Sequence, residues 1–342
     1  MPKGLGEEGA IHVAAFDLPA SSLLSAETRA ELKREATDFK KIDEICPIHV
    51  PGRPSDEHVF AFRRCIDKYY FPPLIARHRN RYRVTITRQR MAGVATEIIE
   101  PADGVSASNR ARVLVNLHAG AFMQGGRWGG QVESIPIAAL GGVTVVSVDY
   151  RMAPEHRFPV ASEDVANVYR TLLKDHRPEN VGIYGCSAGG VLTAQSVAWM
   201  QKEGIPLPGA IGMFCGAASH WSDGDSGHIS AALGNPGGSI GENPYFITTA
   251  REEPLAFPIY SQEILARFPP ALLISSTRDV ALSSVVHTHS RLVKLGIKTE
   301  LHVWEGMGHA FFLEPEFVES TEAYEVIVRF FEQHLGRRPH TA

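Results

Sequence analysis

Four short stretches of the sequence carry residue types whose spacing suits nucleophilic acyl transfer. In Gly185-Cys186-Ser187-Ala188-Gly189-Gly190 a serine stands between glycines two positions away on either side. A serine on a sharp strand-to-helix turn sits in strained backbone that its neighbours approach closely, so those neighbours must lack bulk. A helix starting directly after the serine aims its positive N-terminal end at any oxyanion formed there. His118-Ala119-Gly120-Ala121 is a second turn of small residues. Small residues let backbone N–H groups come within about 2.9 Å of an oxygen that gains charge. His118 is read as holding that loop, with no proton transfer. Asp279 and then His309, 30 residues apart, follow Ser187 along the chain. A hydroxyl needs an imidazole to take its proton and a carboxylate to orient the imidazole, and these two residues supply them. A bare Gly-rich turn is the alternative for the serine motif. Cys186 is a rival nucleophile, but such a turn exposes one side chain, and Ser187 holds the position between the glycines.

The elements around these residues must bring them together. Apolar runs at 113–117, 143–148, 181–185, 210–215, 271–276 and 300–304 alternate with helical stretches near 134–140, 161–174, 188–202, 283–295 and 317–335. That alternation predicts an α/β fold with a mostly parallel, doubly wound sheet. Ser187 then falls between strand 181–185 and helix 188–202, and Asp279 and His309 fall just past two other strands, at the sheet end where active sites collect. Residues 82–87 and 94–99 read as two strands joined at Ala92-Gly93. Upstream, Leu32, Ala36 and Phe39 follow helical spacing behind Ser25, and Val59, Phe62, Ile66 and Tyr69 do so behind Ser55. Pro72-Pro73 is expected to stop the second helix. No strand is visible between Gly216 and Pro270, where the chain is rich in Gly, Ser, Asp and Pro with Trp221, Tyr245, Phe246, Phe257 and Tyr260 interspersed. A structureless loop of that length is unusual in a compact domain. It is read as an insertion over the sheet, a partly disordered excursion being the alternative. The expected organisation is N-terminal cap helices over 1–80, a catalytic domain over 81–336 with an insertion at about 217–268, and a tail at 337–342.

Composition removes several function classes. Hydrophobic residues at 44% and charged residues at 21% exclude disordered and coiled-coil chains. Lys+Arg at 34 against Asp+Glu at 38 leaves no basic excess for nucleic acid. Arg77, Arg79, Arg81, Arg83, Arg88 and Arg90 are read as a solvated strand face. Four cysteines are too few for a disulfide framework. No apolar run approaches the roughly 20 residues that span a bilayer, and the first residues lack the features of a signal peptide. A cytoplasmic location without stable membrane association is therefore expected. His287 and His289 point to different faces of a helix and make a poor metal pair. The Gly-rich stretch at 141–142 precedes a strand rather than following one, so no dinucleotide fingerprint is present. No metal and no cofactor are expected.

Taken together, HAGAF, VSVDYRMAPEHRFP, GCSAGG, the Asp279 segment and GMGHAFF resemble the hormone-sensitive-lipase-like family of α/β-hydrolase esterases. That family shows HGGG, YRLAPE, GDSAGG and a late Asp…His pair, and the resemblance covers roughly residues 80–336. It implies an α/β-hydrolase fold with a helical cap built from the N-terminal helices and the insertion. It makes Ser187 the nucleophile, His309 the base and Asp279 the orienting acid, with oxyanion donors on Gly120, Ala121 and Ala188. HAGA in place of HGGG keeps the N–H groups, while the Ala121 methyl is expected to narrow the acyl side and to trim bulky or tertiary-alcohol substrates. Cys186 stands where the family has Asp. The YRMAPE stretch is read as a loop brace.

The function expected is a serine carboxylic-ester hydrolase that takes small to medium acyl or aryl esters through an acyl-enzyme. Phe122, Met123, Trp128, Phe214 and Trp221 flank the motif loops and are the candidate pocket residues. Lactonase, amidase and acyltransferase chemistry on the same residues stay open, as does a non-catalytic ligand-binding protein. Since His309 must be neutral to act, activity is expected to fall below about pH 6 to 6.5. The strand near 300–304 offers an edge for a homodimer.

Overall fold

The computed structural model describes residues 17–47, 53–233 and 242–336. The tail at 337–342 and the centre of the expected insertion, 234–241, lie outside them. Both serine caps form. The Ser25 side chain accepts from the Thr28 N–H to start α1 (Ala26–Ile45), and Ser55 accepts from the His58 N–H to start α2 (Asp56–Tyr69).

Two expectations fail in this region. Pro72 and Pro73 do more than stop a helix: they occupy the first turn of a third one, α3 (Phe71–Arg81). A missing N–H costs nothing there, because the first helical N–H groups have no intrahelical partner. Arg77, Arg79 and Arg81 consequently lie on a helix rather than a strand face. Arg77 meets Glu314 and Glu316 at 2.8 Å, and Arg81 donates to the Pro315 carbonyl at 2.6 Å. The second correction concerns cysteine. Cys46, at the end of α1, is disulfide-bonded to Cys65 of α2, with Cα atoms 5.7 Å apart. A low cysteine count argues against a framework of several bridges, but it says nothing about one pair that two adjacent helices hold together.

Eight strands form one sheet. β1 (Val84–Met91) and β2 (Val94–Pro101) make an antiparallel hairpin whose turn residues Ala92 and Gly93 both have positive φ, at 49° and 83°, as a tight two-residue hairpin turn requires. β2 pairs antiparallel with β4 (Thr144–Asp149). From β4 the sheet continues in parallel through β3 (Val113–Leu117), β5 (Val181–Cys186), β6 (Ala210–Phe214), β7 (Ala271–Arg278) and β8 (Thr299–Gly308). Every residue of β3, β5 and β6 is buried, which is why these strands read as unbroken apolar runs.

Helices cover both faces. α5 (Val160–Leu172), α6 (Ala188–Lys202) and α9 (Leu282–Lys294) share one core with Tyr245, Phe246 and Phe257 of the 217–268 segment. α4 (Trp128–Gly141) and α10 (Val318–His334) share the other with α2 and α3. The described part of 217–268 holds no strand, only two short helices, α7 (Asp225–Ala232) and α8 (Gln262–Leu265), and a 3-10 turn. Strand order reverses at β3, since β4 lies on one side of it and β5 on the other. Such a reversal leaves a crevice at the carboxyl ends of the two strands, and the turn after β3 and the turn after β5 both face it.

Candidate active site

Ser187 has φ 55° and ψ −117° and sits between the last residue of β5 and the first of α6. This is strained backbone for a residue with a side chain. Its surroundings hold it there: the Ser187 N–H donates to the Phe214 carbonyl at 2.7 Å, and the Val191 N–H donates to the Ser187 carbonyl at 3.1 Å. The flanking glycines answer a direct steric demand. A Cβ on Gly185 would lie 2.2 Å from the Leu117 carbonyl oxygen, and one on Gly189 would lie 1.8 Å from the same atom.

Three side chains from three separate strand ends form a continuous hydrogen-bonded line. The Ser187 hydroxyl lies 2.9 Å from His309 Nε2, and His309 Nδ1 lies 2.6 Å from Asp279 Oδ1. Asp279 is 1% exposed, and its remaining valences are filled: Oδ1 also accepts from the Ala281 N–H at 2.9 Å and Oδ2 from the Ser275 hydroxyl at 2.7 Å. Burial raises the Asp279 pKa, but the His309 charge and hydrogen bond and the two further donors outweigh it and keep the carboxyl below its usual range. For His309 burial works against the imidazolium, and the charge and hydrogen bond of Asp279 overcome it, so its pKa stands above the ordinary value. With Nδ1–H given to Asp279, Nε2 is left to accept from the serine.

The loop after β3 is tightly wound. Gly120, Ala121 and Phe122 all have positive φ, at 120°, 52° and 60°. The Met123 and Gln124 N–H groups both donate to the Gly120 carbonyl, at 2.9 and 3.0 Å. Among the described residues, no hydrogen bond takes the backbone N–H of Gly120, Ala121 or Ala188. His118 is fully buried and stacked on Tyr150 with ring centroids 4.0 Å apart, while its Nδ1 donates to the Ala119 carbonyl at 2.7 Å. Burial brings its pKa down to about 4, which keeps the ring neutral. The YRMAPE stretch braces this loop: the Ala153 N–H donates to the Phe122 carbonyl at 2.9 Å, and Arg151 grips Asp164 at 2.7 Å.

Two ties to the loop carry no sequence motif. Arg63 of α2 donates to the Met123 carbonyl at 2.8 Å, to Ala153 at 2.6 Å and to Glu155 at 2.7 Å. Asn243 donates to the Ala121 carbonyl at 2.9 Å. Nothing short of the tertiary contacts distinguishes Arg63 from the other arginines around it.

A cavity of about 300 Å³ opens on Ser187 and His309. Its walls include Phe39 and Ile42 of α1, Phe62 and Ile66 of α2, Tyr70, Phe71 and Leu74 at and in α3, Leu313, Gly120, Ala121, and Glu133 of α4. Phe122, Met123, Trp128, Phe214 and Trp221, the side chains expected to line a pocket, are not among the walls of this cavity. Phe122 and Phe214 are fully buried, the first stacked on Tyr245 at 4.5 Å and the second against Phe312 at 5.9 Å. Trp221 packs beside Phe246, Trp128 lies under the Arg127 guanidinium, and Met123 packs against the sheet core. Flanking a motif in sequence places a side chain near the site without fixing its direction: Phe122, on the strained loop with φ 60°, is fully buried away from this cavity.

Cys186 and Cys215 are free and buried. Burial pushes both thiols up, so neither is a thiolate. Among the described residues, the grouping of His, Cys and acid close enough to hold an ion is Cys215, Asp279 and His309, within 4.8 Å of one another. Two of its three members are already bonded to each other and the third is a buried thiol, which makes a poor cation site.

Residues 114–313 match the family described as alpha/beta hydrolase fold. LipR of Mycobacterium tuberculosis is 34% identical over 137 residues, which is 40% of this chain and 42% of LipR, so the match spans less than half of that relative. The crystal structure of the esterase E25 superposes with a TM-score of 0.80 at 28% identity, covering 96% of this chain and all of E25. An esterase from the bacterial hormone-sensitive lipase family superposes with a TM-score of 0.74 at 25% identity, covering 90% of this chain and 99% of the other. With that match over more than half its length, the chain belongs to the α/β-hydrolase fold family.

Proposed function

We propose that the protein hydrolyses carboxylic esters of small to medium acyl or aryl groups through an acyl-enzyme on Ser187. The observation that carries this reading is the unbroken line from the Ser187 hydroxyl through His309 to Asp279, at 2.9 and 2.6 Å. His309 takes the serine proton as Oγ attacks the ester carbonyl, and the charge that builds on the carbonyl oxygen is met by the N–H groups of Gly120, Ala121 and Ala188. Collapse of the tetrahedral intermediate expels the alcohol, which takes the proton from His309. Water then enters, gives its proton to His309 and releases the acid by the same steps. Asp279 fixes the ring orientation and favours the imidazolium while it exists.

The cavity supports the substrate range. At about 300 Å³, with apolar walls from α1 to α3, it suits a short acyl chain or one ring. In this reading the N-terminal helices and the 217–268 segment act as the cap that sets substrate choice. Turnover of p-nitrophenyl esters from acetate to dodecanoate should peak at short chains and fall steeply beyond the cavity's length. The matching anilide, a lactone and an acceptor alcohol, run beside the ester, separate hydrolysis of esters from the amidase, lactonase and transferase chemistry the same residues allow. An anilide turned over as fast as the ester would overturn the proposal.

Two finer points belong to the same reading. No helix among the described residues is long and apolar enough to cross a membrane. With a cytoplasmic location as the proposal, Cys46 and Cys65 should be recovered from cells as thiols, since disulfides are reduced there. Recovery of the bridge intact after alkylating lysis points instead to an oxidising compartment. β8 is an outer strand of the sheet, and a homodimer that pairs this edge is expected from sedimentation of the full chain.

A further inference from the structure

One buried acid lies under both motif loops and has no part in the scheme above. Glu133 projects from α4 and is 2% exposed. Its Oε1 accepts from the Ala119 N–H at 2.8 Å; its Oε2 accepts from the Cys186 N–H at 3.1 Å and from the Asn116 amide at 3.0 Å. Ala119 directly precedes Gly120 and Ala121, and Cys186 directly precedes Ser187. A single carboxyl group thus links the loop that offers oxyanion donors to the turn that holds the nucleophile.

The chemistry of the partners is one-sided. All three are donors, which suits an ionised carboxylate, a group that only accepts. Burial raises the Glu133 pKa to about 8, against the pull of the Ala119 N–H, Asn116 and the Cys186 N–H. Asn116 is itself engaged from the far side, its Oδ1 accepting from the Ser147 hydroxyl at 3.2 Å. α4 makes room for this network with Gly130, where a Cβ would stand 1.9 Å from the Ser147 oxygen.

We infer that Glu133 is a positioning residue for the reaction: it fixes the spacing between the oxyanion N–H groups and the Ser187 hydroxyl. The inference rests on the reading of Ser187 as nucleophile and of the 118–121 loop as oxyanion hole. Glu133 borders the cavity that opens on Ser187, but its hydrogen bonds go to Asn116, Ala119 and Cys186 and not to Ser187, His309 or Asp279, so its effect falls on the transition state, where spacing matters most. A misplacement of about 1 Å at such a site costs about 100-fold in rate.

The test uses the full chain with p-nitrophenyl butyrate. Glu133→Gln keeps the shape but must turn an NH₂ toward one of the donors. Its kcat should fall about 100-fold with KM changed less than about threefold. Inhibition by a trifluoromethyl ketone, whose serine adduct carries an oxyanion, should weaken in parallel. Glu133→Ala leaves a carboxyl-sized hole bordering the cavity that reaches Ser187. Added formate, which can accept from the same N–H groups, should restore its kcat by about tenfold or more while leaving the wild type unchanged. A Glu133→Gln enzyme within about twofold of wild type in kcat overturns the inference. So does a Glu133→Ala loss that formate does not relieve and that follows the fraction of folded protein. Wild-type activity in the Glu133 variants beside an inert Ser187→Ala ends this inference alone; an active Ser187→Ala ends the reading beneath it.

Discussion

Gly189, in the first turn of α6, packs against the end of β3 so closely that a Cβ on it would stand 1.8 Å from the Leu117 carbonyl oxygen. This contact joins the two strand ends that carry the motif loops, and it explains in steric terms why the serine motif ends in glycine. Gly189→Ala must push the two apart. The expected result is a loss of about 3 kcal/mol in unfolding free energy, with kcat lost along with it. A Gly189→Ala protein that melts and turns over like wild type would show that the backbones have more room than this.

Ala121 has φ 52°, a left-handed conformation that costs a residue with a Cβ about 1 kcal/mol. Ala121→Gly removes that strain, which offsets the larger entropy glycine loses on folding, so denaturant unfolding should change by less than about 1 kcal/mol. The methyl also lines the reacting end of the cavity. Its removal should raise kcat/KM for esters of tertiary alcohols relative to primary ones, read as a ratio on matched substrates. An unchanged ratio would separate this methyl from alcohol selectivity.

The acid limb of the rate profile follows from the pair at 2.6 Å. Burial disfavours the His309 cation, but the Asp279 charge and hydrogen bond prevail and hold its pKa above the ordinary 6.5. Catalysis needs the neutral ring, and the neutral fraction falls as pH drops through that raised value. The midpoint of kcat/KM should therefore lie above 6.5, higher than the ordinary imidazole range expected from the sequence. The same shift means that the folded state binds the proton more tightly than the unfolded chain. The stability it contributes is present at low pH and is lost as pH rises through the folded value. Asp279→Asn should move the midpoint down and lower kcat by about 10⁴. A midpoint that stays in place in Asp279→Asn would remove Asp279 from the pair's electrostatics.

The cavity wall contributed by α1 and α2 gives a test of acyl selectivity. Phe62→Ala opens space next to Ile66 and Phe39. The ratio of kcat/KM for octanoate over butyrate esters should rise about tenfold, the scale on which a few buried methylenes discriminate. An unchanged ratio would place the acyl chain elsewhere.

Much of this architecture is legible in the sequence, for reasons specific to each element. β3, β5 and β6 are buried on both faces, so their apolar runs are unbroken and easily read. The turn at Ser187 is legible because Gly185 and Gly189 answer a steric demand that few other residues can meet. α3 is not legible in the same way: Pro72-Pro73 signals a break whether or not a new helix starts there. The pocket is hidden for a different reason. Its walls come from Phe39, Ile42, Phe62 and Ile66, helical positions that look like ordinary core faces, while Phe122 and Phe214, beside the motifs, are turned into the sheet's own packing. Glu133 carries no motif at all, because its importance lies in two backbone N–H groups that only the folded chain brings within reach of one carboxyl.

The most direct measurement is the turnover of p-nitrophenyl butyrate by Ser187→Ala, with folding checked by thermal unfolding. Removing the hydroxyl that lies 2.9 Å from His309 Nε2 should lower kcat by about 10⁶ while the protein stays folded. A folded Ser187→Ala protein that retains kcat within about tenfold of wild type would contradict the account, because the reaction would then run without the nucleophile on which every step depends.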